Sequence, residues 1–463
     1  MTTDPESRWM EFLVGLKFED IPPSALTAAK REVLDILGTT LAGNLAAGCP
    51  ELISLVEGWG GAEESTILGY GHKIPSPFAA LANGTMAHAW DYDDTHDKAV
   101  LHAGVSVIPA ALAASERKGT VSGKEFLCAV ILGIDIVCRM GMATKFGPNT
   151  TGWILTPLYG YFGAAAAAGK ILGLEREKMH NALGIAYSQA AGNGQCVLDG
   201  ALTKRLQAGF AAQGGTLAAL LAQKGITGAR EIIQGRFGLY NVYQKGDLDP
   251  GPLTAGLGEV FEVENLSFKP YPCCRFGHSS IDAAMELFRK GSPPPEDISE
   301  INISVNLQAF NAVCHPLAIK SEPRNVVDAQ FSIPYATAVT LTKGTFTLDD
   351  LTESALKKPE IIALARKVRP RVDEQIETAS SREISPSIVE VTTKTGDVYS
   401  QRIDIPRGHP RNPMSDEDLV AKFTDCASHA ANPVNETNVS QLIHTIFHLE
   451  ELNEMSELLQ LLD

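Results

Sequence analysis

Two stretches built almost entirely of small residues constrain the fold of this chain more than any other feature. Residues 162–169 read Phe-Gly-Ala-Ala-Ala-Ala-Ala-Gly, and residues 209–221 are nearly as rich in glycine and alanine. An alanine-rich helix standing in water needs regularly spaced charged side chains, and these stretches lack them. Small residues let helix axes approach closely, so the pattern predicts a bundle of mutually buried helices. Helical periodicity supports this through the first two-thirds of the chain. Pro22-Pro23 opens a helix that stops near Gly43, and further patterns cover residues 105–117, 123–144, 157–172, 177–190 and 203–223. Pro77 opens another, which is expected to carry a polar cluster described below.

The pattern changes after Leu266. Residues 301–307 alternate apolar and polar at period two, as a half-buried strand does. Residues 387–405 give two more such runs around Lys394-Thr395-Gly396-Asp397, a hairpin turn. Helical patterns lie between them at 326–343 and 361–367, and helix returns at 415–427 and 439–459. At 463 residues, two domains are expected. The reading is a mainly α protein with a smaller α/β part: a helical bundle domain over 1–266, an α+β lid domain over 267–408, and C-terminal helices over 409–463 that dock back on the bundle.

Composition excludes some functions. The net charge of −16 argues against nucleic acid, which needs a basic footprint, but a few local cations still suffice for a small anionic substrate. The eight cysteines are scattered and show no zinc-like spacing, which suits a reduced, cytoplasmic compartment. Met1 to Arg8 is polar and has no apolar signal core behind it. The longest uncharged run, 146–169, is broken by prolines, glycines and polar residues at its start, so no membrane segment is expected.

The chemistry concentrates in His88-Ala89-Trp90-Asp91-Tyr92-Asp93-Asp94-Thr95-His96, followed by His102. At helical spacing His88, Asp91 and Thr95 share one face, with Asp93 rotated away. A buried polar face is costly unless it is hydrogen-bonded or meets a polar ligand, which makes it a candidate acid/base cluster. A metal site is not expected from His96, Asp93 and Asp94, because nothing supplies the remaining ligands at a recognisable spacing.

This string resembles the signature of the MmgE/PrpD family. Three other stretches agree in order and spacing: Leu202-Thr203-Lys204-Arg205-Leu206-Gln207-Ala208-Gly209, the run from Lys269 through Cys273-Cys274-Arg275 to His278, and Asp328 to Tyr335. The family includes 2-methylcitrate dehydratases, cis-aconitate decarboxylases and an iminodisuccinate epimerase. The resemblance implies a cofactor-free enzyme, a large helical domain with a smaller lid, and a homodimer. It also implies a pocket made by Asp91, Thr95, His102, Lys204 and Lys269. Three imidazole positions of the decarboxylases depart, being Ile154, Gln207 and Cys274 here. These departures favour a hydro-lyase over a carboxy-lyase and leave the anion-binding framework intact.

Dehydration, decarboxylation and epimerisation beside a carboxylate all need cations to hold carboxylates and groups to move protons. Lys204 and Lys269 are the expected clamps, with Arg275 as a further bidentate one. His102, just ahead of a helix start, is an acid or base. Asp91 either orients His102, acts as the base, meets a ligand carboxyl, or pairs with a lysine. Thr95 hydrogen-bonds substrate or Asp91, or else bonds back within its helix. His88 and Gln207 are expected in the pocket, His278 as a replacement imidazole, and Cys274 as a thiol or small packing residue. Ile154 makes an apolar corner that suits an alkyl substituent. The leading reading is a lyase acting on a di- or tricarboxylate, most simply a 2-methylcitrate-type dehydratase. The alternatives are an isomerase or epimerase of a related acid, and a non-catalytic acid-binding descendant.

Overall fold

The computed structural model describes residues 5–145, 148–381 and 385–462. The bundle consists of helices α1 (Pro23–Gly43), α2 (Ser76–Ala87), α3 (Gly104–Lys118), α4 (Gly123–Ala143), α5 (Leu155–Ile171), α6 (Arg176–Tyr187) and α7 (Thr203–Gln223), together with shorter pieces. Helix α7 lies at its centre, packed on α2, α5 and α6. The small residues explain how. A Cβ on Gly209 would lie 2.2 Å from Thr85 Oγ1, and one on Gly215 would lie 2.4 Å from the Ala164 Cβ. Any larger side chain would push the axes apart. Helix α4 is long and apolar enough to cross a membrane, and here nearly all of it is buried within the bundle.

Beyond the bundle, α8 (His278–Arg289) and α9 (Ile333–Lys343) pack with a four-stranded sheet of β1 (Ile298–Val305), β2 (Val368–Val372), β3 (Ser387–Thr393) and β4 (Val398–Ile403). The strand order is β2-β1-β3-β4. β1 and β2 are parallel, with Ile301 beside Val368, and the other pairs are antiparallel, with Ile303 beside Val389 and Val391 beside Tyr399. Helices α10 (Asp416–Ser428) and α11 (Glu436–Phe447) then return to the bundle. Two large buried cores result among the described residues. The larger joins residues such as Leu37 and Phe162 to Phe423 and Leu442 from the C-terminal helices, and the smaller runs from Tyr271 to Val391. Trp90 packs against both and donates from Nε1 to the Ala42 carbonyl at 2.7 Å.

Several expectations need correction. The helix expected to carry the polar cluster stops at Ala87, one residue before it. Asp91 and Val100 have φ of 52° and 59°, the left-handed region, which no helix tolerates. His88, Asp91 and Thr95 therefore do not share a helix face. The strand β2 was not expected, because Pro370 interrupts its pattern; proline is tolerated there because β2 is an edge strand. The helix expected over 326–343 is broken, with Ser332 Oγ capping α9 by accepting from the Tyr335 amide at 3.0 Å. The helix expected over 439–459 ends at Phe447, and a short turn of helix, Ser456–Leu459, follows. Met1–Asp4 and Phe146–Gly147, at the starts of two stretches discussed above, lie outside the described residues.

Candidate active site

The connection between α2 and α3 is a compact loop, and its polar side chains point at one another. His88 caps the C-terminal end of α2, and His102 precedes α3 by two residues. Asp94 accepts from the Ala103 and Gly104 amides at 2.9 and 3.1 Å, so its carboxylate meets the positive end of α3. Burial and the neighbouring Asp93 nevertheless push its pKa up to about 6. The first turn of α7 delivers Lys204, and the segment after Leu266 delivers Lys269.

Asp91 is the hub. Its Oδ1 lies 2.7 Å from Lys269 Nζ and 3.2 Å from Lys204 Nζ, and Lys269 also donates to the Asp91 carbonyl at 2.8 Å. That double hold on carboxylate and carbonyl fixes the left-handed backbone of Asp91. Burial alone would raise this carboxyl, but Lys204 and Lys269 hold it well below the usual carboxylate range. Asp93, placed away from the cluster by the helical reading, is instead its second anion. Its Oδ2 lies 3.0 Å from His88 Nδ1 and 3.1 Å from His102 Nδ1. The ammonium of Lys204 also sits 2.9 Å from His88 Nε2. Burial, against the pull of Asp93 and with the help of Lys204, lowers His88 to about 4. A neutral His88 therefore donates from Nδ1 to Asp93 and accepts at Nε2 from Lys204.

His102 is oriented from behind. Its Nδ1 faces three acceptors: the Asp94 carbonyl at 2.5 Å, Asp93 Oδ2, and Thr95 Oγ1 at 3.3 Å. That set calls for a proton on Nδ1 and turns Nε2, 3.9 Å from Asp91 Oδ1, towards a cavity. The cavity has a volume of about 390 Å³, within the range of roughly 300–1,000 Å³ usual for small-molecule sites. Elements of both cores line it. His88, Asp91, His102 and Lys204 form its polar end, and Ile154, Cys274, Phe276 and Phe331 come from the other sides.

The remaining expected residues are placed as follows. Lys269 is fully buried behind Asp91 and does not reach the cavity wall. Thr95 lines a smaller recess of about 90 Å³ beside the main cavity and touches only the rear nitrogen of His102. Arg275 lines the same recess, but its guanidinium is engaged by Asp97 at 3.1 Å and by the Arg407 carbonyl at 2.9 Å. His278 is wholly buried, with Nε2 3.2 Å from the Cys273 carbonyl, and is not brought to the cavity. Gln207 uses both ends of its amide on the Asn193 backbone, at 2.7 and 3.1 Å, and so holds a loop rather than a ligand. Cys274 does line the cavity, and burial raises its thiol to about 11, far from a reactive thiolate. Sequence reasoning missed Val100, whose left-handed backbone borders the cavity, and Thr156, whose Oγ1 accepts from the His102 amide at 3.0 Å. Neither carries a pattern legible in one sequence.

Donor atoms of His88, Asp91, Asp93 and His102 lie within 4.8 Å of one another, close enough to share an ion. Two ammonium groups already lie against that set, however, both on Asp91 and one of them on His88 Nε2. A metal would have to displace them, so the arrangement suits lysine ammonium as the resident cation.

Comparison with known proteins agrees with this architecture. The MmgE/PrpD N-terminal domain model matches residues 8–250, and the MmgE/PrpD C-terminal domain model matches residues 271–446. Over 450 residues the chain is 29% identical to a cis-aconitate decarboxylase of Aspergillus terreus (strain NIH 2624 / FGSC A1156), covering 93% of this chain and 90% of that protein. Over 433 residues it is 28% identical to the cis-aconitate decarboxylase of Homo sapiens, covering 89% and 86%. With both domain models matched in order along one chain, this protein belongs to the MmgE/PrpD family.

Proposed function

We propose that this chain is a cofactor-independent lyase acting on a di- or tricarboxylate, and that the reaction its cavity favours is decarboxylation. The observation that carries the reading is the pairing of one cavity-facing imidazole edge, His102 Nε2, with one cavity-facing ammonium, Lys204. Loss of carbon dioxide leaves an electron pair that spreads onto an adjoining unsaturated carboxylate. An ammonium stabilises that charge, and a single acid returns one proton to carbon. Asp91 is too firmly held by the two lysines to serve as a base, so His102 is the proton carrier, and Asp93 and Asp94 orient it. Lys269 positions Asp91. The names of the relatives favour the same bond cleavage.

Dehydration is the second reading, favoured by Ile154 and Cys274 standing where decarboxylases of the family carry imidazoles. It needs a base for the carbon-bound proton and a separate acid for the hydroxyl, and that acid would have to be Lys204. Proton NMR in heavy water, on a panel of citrate, 2-methylcitrate, aconitates and succinate-type acids, separates the two. Decarboxylation places deuterium on the product carbon as carbon dioxide leaves, whereas dehydration converts a hydroxy acid to an alkene. Exchange without net loss would assign an isomerase instead. His102→Gln and Lys204→Ala should each lower turnover by about 10²-fold or more.

A further inference from the structure

The polar end of the cavity is already balanced before a substrate arrives. Two ammonium groups, Lys204 and Lys269, both lie on Asp91, while Asp93 is held by the Nδ1 atoms of His88 and His102, so two positive charges stand with two carboxylates and His88 is neutral. Lys204 has committed itself to Asp91 and His88 and also lies over the Phe331 ring at 5.4 Å. The other basic side chains that sequence reasoning would recruit point elsewhere: Lys269 is sealed behind Asp91, and Arg275 is forked onto Asp97. Among the described residues, Lys204 is the one lysine or arginine in the cavity wall. The other side chain at that end whose nitrogen can meet a carboxylate is the imidazole of His102, through Nε2.

The rest of the wall is of a different kind. Val100, Ile154, Val197, Leu198, Phe276 and Phe331 give it a broad apolar side, and Leu198 is 68% exposed as it stands. Its remaining polar groups are uncharged, chiefly Thr156, Gln195, Gln308 and Asn311. Such groups hydrogen-bond a carboxylate or a hydroxyl but do not neutralise charge. A carboxylate pressed on the apolar side would lose its hydration with no cation in return, whereas an alkyl group placed there is itself released from water.

Resting on the lyase reading above, we infer that the substrate carries an uncharged, apolar arm where a tricarboxylate carries its third carboxylate: an alkyl-substituted dicarboxylic acid. One carboxylate is held by Lys204 and His102, the second meets the neutral amides, and the arm covers the Ile154–Leu198–Phe276 side.

The test is calorimetric binding of three unreactive saturated acids to the full-length protein: succinate, 2-butylsuccinate and propane-1,2,3-tricarboxylate. The alkylated acid is expected to bind at least about tenfold more tightly than either of the others, the gain from burying a short alkyl chain. In Ile154→Lys the order should reverse, with the tricarboxylate binding best. Equal or tighter binding of the tricarboxylate by the unaltered protein overturns the inference without touching the lyase reading, and so does failure of all three acids to bind at millimolar concentration. Turnover is scored separately with cis-aconitate and an alkylated unsaturated dicarboxylate. If 2-butylsuccinate binds tightest but neither acid loses carbon dioxide or takes up water across its double bond, the ligand assignment stands and the lyase reading falls.

Discussion

Asp91→Asn tests the electrostatic core of the site. The substitution keeps the shape of the side chain, and asparagine accepts the left-handed backbone that Asp91 adopts at φ 52°. It removes the one anion that Lys204 and Lys269 share, at 3.2 and 2.7 Å. Lys269 is fully buried and is left with amide and carbonyl oxygens only. Removing one partner of a buried ion pair costs about 3–5 kcal/mol, most of it from the charge left behind. The unfolding entropy is about 2.1 cal/mol/K per residue, or roughly 1 kcal/mol/K over a chain of this length if it melts as one unit. Tm should therefore fall by about 3–5 °C in scanning calorimetry. Lys269→Met alone should also destabilise, because it leaves the buried Asp91 carboxylate with Lys204 alone and removes the hold on the Asp91 carbonyl. The double variant should cost less than the two together, with a coupling of at least about 1 kcal/mol. If Asp91→Asn lowers stability by less than about 0.5 kcal/mol, or if the two substitutions add, the shared carboxylate is not what holds the lysines and the argument fails.

The pH dependence of stability has a defined sign at His88. Its folded pKa is lowered to about 4 from an ordinary 6.5, so its contribution is intact above pH 6.5 and is lost as pH falls toward 4. Asp94 runs the other way, because its folded pKa is raised to about 6 and its contribution declines as pH rises through that value. Comparing the parent with His88→Gln isolates the histidine: between pH 7 and pH 5 the parent should lose about 2 kcal/mol relative to the variant in urea unfolding, and a constant difference would contradict a neutral His88. At Gly104, an added Cβ would lie 1.9 Å from Glu32 Oε1 and 2.6 Å from Ile36 Cγ1, so Gly104→Ala should destabilise by about 1–3 kcal/mol. Adding Glu32→Ala should recover part of that loss, and no recovery would place the clash elsewhere.

The bundle was legible because burial leaves a mark at every turn of a helix. The expected 203–223 coincides with α7, and 123–144 differs from α4 by one residue. What misled was the polar loop, where helical spacing was assumed to continue past Ala87. A period can be read only where successive residues share an environment. From His88 to His102 the polar side chains turn to different partners, and the backbone turns through two left-handed residues that carry no glycine to announce them. Membership of the pocket was legible for His88, Asp91, His102, Lys204, Ile154 and Cys274. The same charges that made Lys269 and Arg275 attractive as ligand clamps are engaged by Asp91 and Asp97, and pairing at long separation has no signature in one sequence.

The irregular loop is itself what the chemistry requires. On a helix, residues two apart point to opposite sides, so Asp91 and Asp93 could not serve one cluster. In the loop, Asp91 gathers two ammonium groups while Asp93 holds two imidazoles by their Nδ1 atoms, and the chain reverses sharply enough to bring His88 and His102 within 5.0 Å of each other, ring centre to ring centre. The cost is a valine and an aspartate in left-handed backbone, about 1–2 kcal/mol each. A fold selected for stability alone would place glycine at Val100. Strain retained at the rim of a charged cavity, with Lys269 bound to both the carbonyl and the carboxylate of the strained Asp91, supports the proposal that this turn is built around a ligand.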